Sequence, residues 1–538
     1  MIRLDLSDIQ GNIVKPYGRS GFPFTRHLFF TISDPLAGRR FVQAVRPRVT
    51  TADPWDPDTT PEGQGRHKKP AITLNLGFSY AGLKALDLPT RTLRLLPDEF
   101  IDGMRCRNEI LGDVAGSHPD GWDRAWREGG PAAHVWVSLN AGPQADGTPL
   151  PILQEWTDWL IKVAKAARGV RVLKGHGSNR TQSWQDSAAL TEELADGRKV
   201  LCAREHFGFT DGISDPVFKG QYSALEEEQI YKRGGGKLNK GLKGMPDGWE
   251  ALDTGEFILG HVDEGQELPV ATQPAGFMRN GSFMVWRKLQ ENVDVFKTYI
   301  DEQAGLWMRV TGETDKTAAR ETLMAKMVGR WSSGIPLMVA PTWADHQRVA
   351  ARYADALEIL RRKPANQLEK VRLAEYELML TDFRYGDDLD GAKCPFGSHI
   401  RRANPRDMLD PTLSAHKGST TLVNRRRIIR RGLPYEDANG DKGVIFMAGC
   451  SSIFRQFEFV QQQWVSYGLD FEAGNDTCPL VGNRAQATKL VVPAGVAGDP
   501  PFIAANLPEF VTTRGGEYFF LPSMTAIRMI AMGMVDPT

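Results

Sequence analysis

The sequence predicts an α+β protein of two similar halves built on antiparallel sheets. Short strand-like runs and amphipathic helix-like runs are interspersed from end to end, without the clean strand–helix alternation of a doubly wound parallel sheet. The second half repeats the style of the first. With 538 residues, 41% hydrophobic and 25% charged, the chain has the composition of an ordinary globular protein. Its length suggests about two to four domain equivalents.

The elements follow in order. Residues 25–32 (TRHLFFTI) read as a strand and 35–45 as a helix. Residues 71–77 (AITLNLG) alternate as a strand does, with 79–86 helical after them. Residues 133–140 form another strand, 151–167 have the three-to-four spacing of an amphipathic helix, and 170–174 are a short strand. In the second half, 256–260 and 282–288 (SFMVWRK) read as strands and 292–303 as a helix. Residues 444–448 (VIFMA) predict a strand, 453–467 a helix and 518–521 a last strand. Two stretches look inserted: 233–247, rich in Gly and Lys, as a loop, and 344–384, charged and helical, interrupted by Pro364.

Bulk properties exclude several classes. Lys plus Arg is 66 and Asp plus Glu is 66, so nothing global argues for nucleic acid or an anionic membrane as partner. No apolar run is long enough to span a bilayer. The opening MIRLDLSDIQGNIVKPYG is polar from its third residue and lacks the apolar core of a secretion signal, so a cytoplasmic protein is expected. The five cysteines are scattered with no Cys-x-x-Cys pair, which argues against zinc and iron–sulfur centres and against a c-type haem link.

Three clusters carry chemistry. The first is HFGFTDGISDP, residues 206–216, where Asp211 sits in a segment with Gly208 and Gly212 on either side. Glycine lets the backbone bend sharply and approach a flat ligand. A carboxylate so presented can accept or donate a proton, although Asp-Gly is also a common turn. The second is CPFGSHIRRANPRD, residues 394–407. Imidazole is a common axial ligand of haem iron, and guanidinium forks suit the propionates of a haem; a solvated basic loop is the plain reading. The third, RRRIIRRGLPY at 425–435, has five arginines in its first seven positions. A buried arginine stays charged and can stabilise a developing anion; an exposed one makes a basic face for an anionic partner. Less specific are GRWSSGIPL, FEFVQ and GGEYFFLPS, which read as core segments, with Glu458 an acid that needs a partner if buried.

Taken in order, GFTDG, GRWSSGIPL, SHIRRANPR, IIRRGLPY, FEFVQ and GGEYFFLPS, with DIQGNI near the start, resemble the dye-decolourising peroxidase family from Asp8 to about Met534. In length and insertions the chain is similar to the larger, non-secreted bacterial members. The resemblance implies two ferredoxin-like domains enclosing non-covalent haem b, here 1–225 with the acid motif and 226–538 with the histidine and arginine motifs and a helical insertion near 344–384. It implies His399 as the axial ligand of the haem iron, Asp211 as the distal acid and Arg430 as the distal arginine. Gly212, Ile213, Ser214, Asn404, Pro405 and Arg406 correspond to stretches that line the haem, Val444 and Phe446 to the apolar wall, and Glu458 to the acceptor of the proximal imidazole N–H. Strand alternation sets Arg430 and Ile428 on one face and Arg431, Ile429 and Arg427 on the other. Only the motif match selects Arg430 over Arg431 or Arg427.

The resemblance further implies reduction of hydrogen peroxide to water with one-electron oxidation of dyes, phenols or other aromatic donors. Mn(II) oxidation and a homo-oligomer are admitted by it, but no set of carboxylates marks a manganese site. A non-catalytic haem-handling protein on the same fold would need His399 but not Asp211 or Arg430. A haem-free interaction module would use the arginine run as a binding face. An ordinary aspartate titrates near ~3.9 and an ordinary histidine near ~6.5. With Asp211 as the base, dye turnover is therefore expected to persist at more acidic pH than a histidine base allows. A turnover maximum at pH ~8 with anionic dyes would count against an aspartate base.

Overall fold

The computed structural model describes all residues except 1–3, 19, 58–66, 128, 131, 178–180, 194–196, 198, 222–234, 240–247, 269–273, 363–365, 410–420, 495–499 and 536–538. Most of the 233–247 segment and Pro364 lie outside the described residues.

Ten strands form one antiparallel sheet. The first half contributes β1 (Phe24–Ile32), β2 (Ile72–Phe78), β3 (Val135–Ala141), β4 (Val170–Val172) and β5 (Gln185–Ala188). Helix α1 (Pro35–Val45) follows β1, and α2 (Ile152–Ala167) joins β3 to β4. Helix α1 starts where it does because the Asp34 carboxylate accepts the Ala37 N–H at 2.6 Å, with Pro35 in the first turn. The strand order β2-β3-β1-β4 and the chain order β1-α1-β2-β3-α2-β4 are those of a ferredoxin-like unit.

The second half repeats it with β6 (Ser282–Glu291), β7 (Ile429–Arg430), β8 (Leu433–Glu436), β9 (Lys442–Cys450) and β10 (Val511–Leu521) in the order β7-β9-β6-β10, with β8 also on β9. Between β6 and β7 run α3 (Val293–Thr311), α4 (Lys316–Val328), the inserted helices Trp343–Arg352, Ala354–Arg362 and Gln367–Thr381, and the short α5 (His399–Ala403). Helix α6 (Met524–Met532) follows β10. Among the described residues no helix is long and apolar enough to cross a membrane.

Three sequence expectations differ from the structure. The helix expected at 453–467 forms as two π-helical stretches, Ile453–Glu458 and Val460–Val465. Residues 256–260 are not a strand. The 3-10 turn Thr254–Glu256 leads into a buried loop, where the Glu256 carboxylate pairs with Arg455 at 2.9 Å and accepts the Glu264 N–H. The 425–435 run is only in part a strand: Arg425–Arg427 precede β7 as turn and loop.

The two half-sheets meet edge to edge at β10 and β2, paired at Phe520↔Phe78. Gln10, from the DIQGNI segment, clamps this seam. Its amide donates to Leu76 O at 2.8 Å and Pro522 O at 2.9 Å, and its carbonyl accepts the Leu76 N–H. A polar contact deeper in the seam is carried by Lys288 on β6. This lysine is 2% exposed and sits between Asp123 of the first half at 2.9 Å and Asp437 of the second at 2.6 Å. Removing one partner of such a buried network leaves an uncompensated charge. Lys288→Ala is expected to lower unfolding free energy by about 3–5 kcal/mol, measured by denaturant titration.

Candidate active site

A cavity of about 360 Å³ opens on one face of the second half-sheet, with residues of the first half also lining it. The sheet supplies one wall. Arg287, Leu289 and Glu291 of β6, Val444 and Phe446 of β9, and Val511 and Thr513 of β10 line it at every second position, as one face of a pleated sheet must. The motif loop 205–216, α5 and the π-helical segment supply the rest.

The motif loop is fixed by its own backbone. Thr210 donates through N–H and Oγ1 to Ser332 O at 3.0 and 2.9 Å, and the Asp211 N–H donates to Ala203 O at 2.8 Å. Gly208 and Gly212 have φ of +103° and +76°, values that residues bearing a Cβ rarely adopt. A Cβ on Gly208 would meet nothing within 4 Å, so this glycine serves conformation rather than close approach. The GRWSSGIPL segment presses on the loop: a Cβ on Gly334 would lie 2.8 Å from Ile213.

Arg430 Nη1 donates to Asp211 Oδ1 at 2.8 Å, and Nη2 donates to Ile213 O at 3.0 Å. Both side chains are nearly half exposed, at 42% and 46%, but what they face is the cavity they line. Asp211 first, then Asp215, holds Arg430 more firmly charged than an ordinary arginine, against the effect of burial. This contact settles the register. Arg431 points away, to Asp215 at 2.9 Å and the carbonyls of Asn12 and Ile13. Arg427 lines the cavity from the preceding loop, on the carbonyls of Gly235 and Gly236.

His399 begins α5. The Ser398 hydroxyl before it donates to Lys326 O at 2.6 Å, and the imidazole reaches the cavity. Its Nδ1 lies 3.3 Å from Cys478 Sγ. Glu458 is therefore not its partner. Both Glu458 oxygens are taken by Arg107, at 2.6 and 2.7 Å, and one also accepts the Tyr518 hydroxyl at 2.8 Å. The π-helical turn aims this carboxylate at the first half of the chain, where it meets the partner a buried acid requires. Cys478 was the residue that sequence reasoning missed: an isolated cysteine 79 positions from the histidine carries no local signal. Burial alone would raise its thiol, but His399, the hydrogen bond to it and Arg402 bring it down to about 6.

The arginines of SHIRRANPR divide. Arg401 and Arg402 are fully buried away from the cavity, the first on Asp388 at 2.7 Å between the rings of Tyr385 and Phe396, the second on the carbonyls of Trp464 and Asp476. Arg406 lines the cavity. Its Nη1 donates to Thr381 O and Phe383 O, both at 2.9 Å. Ile213, Ser214, Asn404, Val444 and Phe446 also line it, whereas Gly212, Pro405 and Glu458 do not.

Arg330, Arg406 and Arg427 share an electrostatic peculiarity. All three line the cavity, and their hydrogen bonds among the described residues go to backbone carbonyls. Among the described residues none has a carboxylate within ion-pair distance. Burial first, then mutual repulsion with Arg406, lowers Arg330 to about 9 and Arg427 to about 10. Asn404 Oδ1 is also buried without a hydrogen-bond partner. Unpaired guanidiniums beside apolar walls fit a flat, largely apolar group bearing carboxylates, as a haem does. An acid–arginine pair, an imidazole and an anion-binding rim on one cavity define the class of a haem peroxidase.

Comparison with known proteins agrees. A family model described as the DyP dimeric alpha+beta barrel domain matches residues 8–144. The chain is 27% identical over 98% of its length to Peroxidase 2 of Mycetinis scorodonius, covering 88% of that protein. It is 26% identical, over 98% of its length and 87% of the relative, to a dye-decolorizing peroxidase of Mycena epipterygia. The solved structure of a fungal DyP-type peroxidase from Auricularia auricula-judae superposes with a TM-score of 0.68 at 21% identity, covering 99% of this chain and 100% of that one. Over nearly its whole length the chain is thus similar to DyP-type, dye-decolourising peroxidases. These relatives are fungal, so they give no support to the narrower expectation of a bacterial type.

Arg406→Ala removes one unpaired cation from the rim. Charged hydrogen bonds contribute about 1.5–3 kcal/mol each. Haem loss to a scavenger protein is expected to accelerate roughly tenfold or more, followed by the change in Soret absorbance.

Proposed function

We infer that the chain is a haem-dependent peroxidase that reduces hydrogen peroxide to water and oxidises dyes, phenols or other aromatic donors in one-electron steps. The observation that carries this reading is the 2.8 Å contact of Arg430 with Asp211 on the cavity that His399 also lines. A protein that only carries haem has no use for this pair. The finer assignment to haem b rests on the cavity chemistry: no Cys-x-x-Cys-His is present for a covalent link, and the rim cations suit free propionates.

His399 would hold the iron, with Nδ1 turned to Cys478 so that Nε2 faces the cavity. Arg406, Arg330 and Arg427 would hold the propionates. Bound haem supplies the metal centre that takes electrons from the donors and passes them to peroxide oxygen. Asp211 takes the proton from one peroxide oxygen and delivers it to the other. Arg430 holds a fixed positive charge where negative charge develops as the O–O bond breaks. Its two hydrogen bonds, to Asp211 and to Ile213 O, keep it in place without reorganisation. Among the described residues no group of three or more His, Cys, Asp and Glu is placed to hold a metal ion, so Mn(II) as a donor has no assigned site.

The purified protein loaded with haem is expected to show a Soret band that His399→Ala abolishes. Asp211→Asn is expected to keep the band while slowing the reaction with peroxide by about 10²–10⁴-fold, read by stopped-flow. Unchanged peroxide kinetics in Asp211→Asn would remove Asp211 from the mechanism, and a chain that takes up no haem would overturn the reading as a whole.

A further inference from the structure

Two carboxyl groups stand on the cavity wall beside Asp211 without a role in the chemistry above. Glu205 leads into the motif loop, and Glu291 is the last residue of β6. Both line the cavity, and their carboxyls are hydrogen-bonded to one another. Each is also tied to the motif backbone. Glu205 accepts the N–H groups of Phe207 and Phe209, both at 2.7 Å, and Glu291 accepts that of His206 at 3.1 Å. Two carboxyls in contact in a poorly solvated place cannot both be ionised; a proton between them turns facing lone pairs into a hydrogen bond.

The surrounding charges favour this state. Asp211 faces the pair from the loop and adds negative charge. Tyr435 of β8 lies near Glu291, its hydroxyl kept neutral by burial. Arg430 is committed to Asp211 and Ile213. Arg287, four positions back on the same face of β6, is committed to Asp113 and Thr513. Among the described residues no lysine or arginine forms an ion pair with either acid. Burial above all, then the neighbouring acids, pushes both carboxyls above their ordinary range.

We propose that Glu205 and Glu291 form a proton-sharing pair that supplies the cavity with protons consumed in turnover. This rests on the peroxidase reading above. Reducing one hydrogen peroxide to two waters takes two electrons and two protons. The transfer by Asp211 only moves a proton between the peroxide oxygens as their bond breaks and the first water leaves. The second oxygen leaves as water after two aromatic donors have each given an electron and two protons have arrived. The pair donates one proton to the cavity with each electron delivered and regains one from solvent before the next, two in all per peroxide.

Glu291→Gln tests this, since the amide keeps an acceptor for His206 N–H and a donor to Glu205. In the haem-free chain, infrared pH-difference spectra are expected to show a carboxylic-acid C=O band that persists above the ordinary carboxyl range and is lost in Glu291→Gln. In the haem-loaded enzyme, donor turnover at neutral pH is expected to fall tenfold or more relative to the peroxide step, and to recover as bulk protons become plentiful at acidic pH. Stability gives an independent sign. Both acids are raised in the fold above the ordinary 4.5, so the folded chain holds more protons than the unfolded one above that value. The contribution is fully present below 4.5 and is lost as pH rises through the raised values. Glu291→Gln should therefore flatten the fall of Tm toward alkaline pH. If Glu291→Gln does not fold, Glu291→Asp is expected to retain the infrared band and part of the turnover. A band that survives Glu291→Gln, or a turnover–pH profile identical to the parent enzyme, overturns the proposal. A parent protein that binds haem but does not react with peroxide overturns the peroxidase reading, and proton supply with it. The infrared band still decides separately whether the pair holds a proton.

Discussion

Two consecutive residues of β6 hold the molecule together. Arg287 and Lys288 point to opposite faces of the strand, as neighbours in a pleat must. Each is buried and each takes a carboxylate from the first half of the chain: Arg287 from Asp113, Lys288 from Asp123 at 2.9 Å. A buried charge is tolerable only when paired. The loop region between β2 and β3 that carries these aspartates is therefore fixed against both sides of the second half-sheet. Arg107, from the same region, reaches the buried Glu458. The edge pairing at Phe520↔Phe78 alone is a narrow seam. The ion pairs make the two ferredoxin-like halves one body, and Arg287 with Asp113 and Thr513 also forms part of the cavity wall.

The same rule, applied with opposite results, distinguishes scaffold from site. Arg287, Arg401 and Lys288 are buried and paired with carboxylates, and serve the fold. Arg330, Arg406 and Arg427 are buried on backbone carbonyls, with charge left over. Partial charge from carbonyl dipoles does not neutralise a guanidinium, so these positions keep charge with which to meet an anion. On the acid side, Glu205 and Glu291 solve the opposite problem by sharing rather than pairing.

Much of this was legible in the sequence because strands and helices leave periodic marks. The β1-α1-β2-β3-α2-β4 elements were read within a few residues of their bounds, and so were β6, β9 and the end of β10. The ordered motifs led to the acid, the histidine and the arginine of one cavity. The register of the arginine run was not readable, because β7 is only two residues long and strand alternation separates faces without saying which one looks inward. The turns at 453–465 were read as helical but not as π-helical, because their apolar spacing does not separate the two. The Glu205–Glu291 contact joins segments 86 residues apart, and no local pattern reports it.

The histidine's partner shows how a plausible motif reading fails. Glu458 is a carboxylate between aromatics, and a carboxylate is the usual companion of a metal-bound imidazole. But an acid that is 1% exposed must be neutralised where it stands, and Arg107 does so with two hydrogen bonds. A carboxylate already shared between a guanidinium and the Tyr518 hydroxyl is a poor acceptor for a third group. The space beside His399 Nδ1 goes instead to Cys478, held by its own N–H on Val465 O at 2.7 Å and by Arg484 on its carbonyl. What fixes the imidazole is that Cys478 is fully buried, so Nδ1–H has no water to turn toward and the ring is held with its other nitrogen on the cavity.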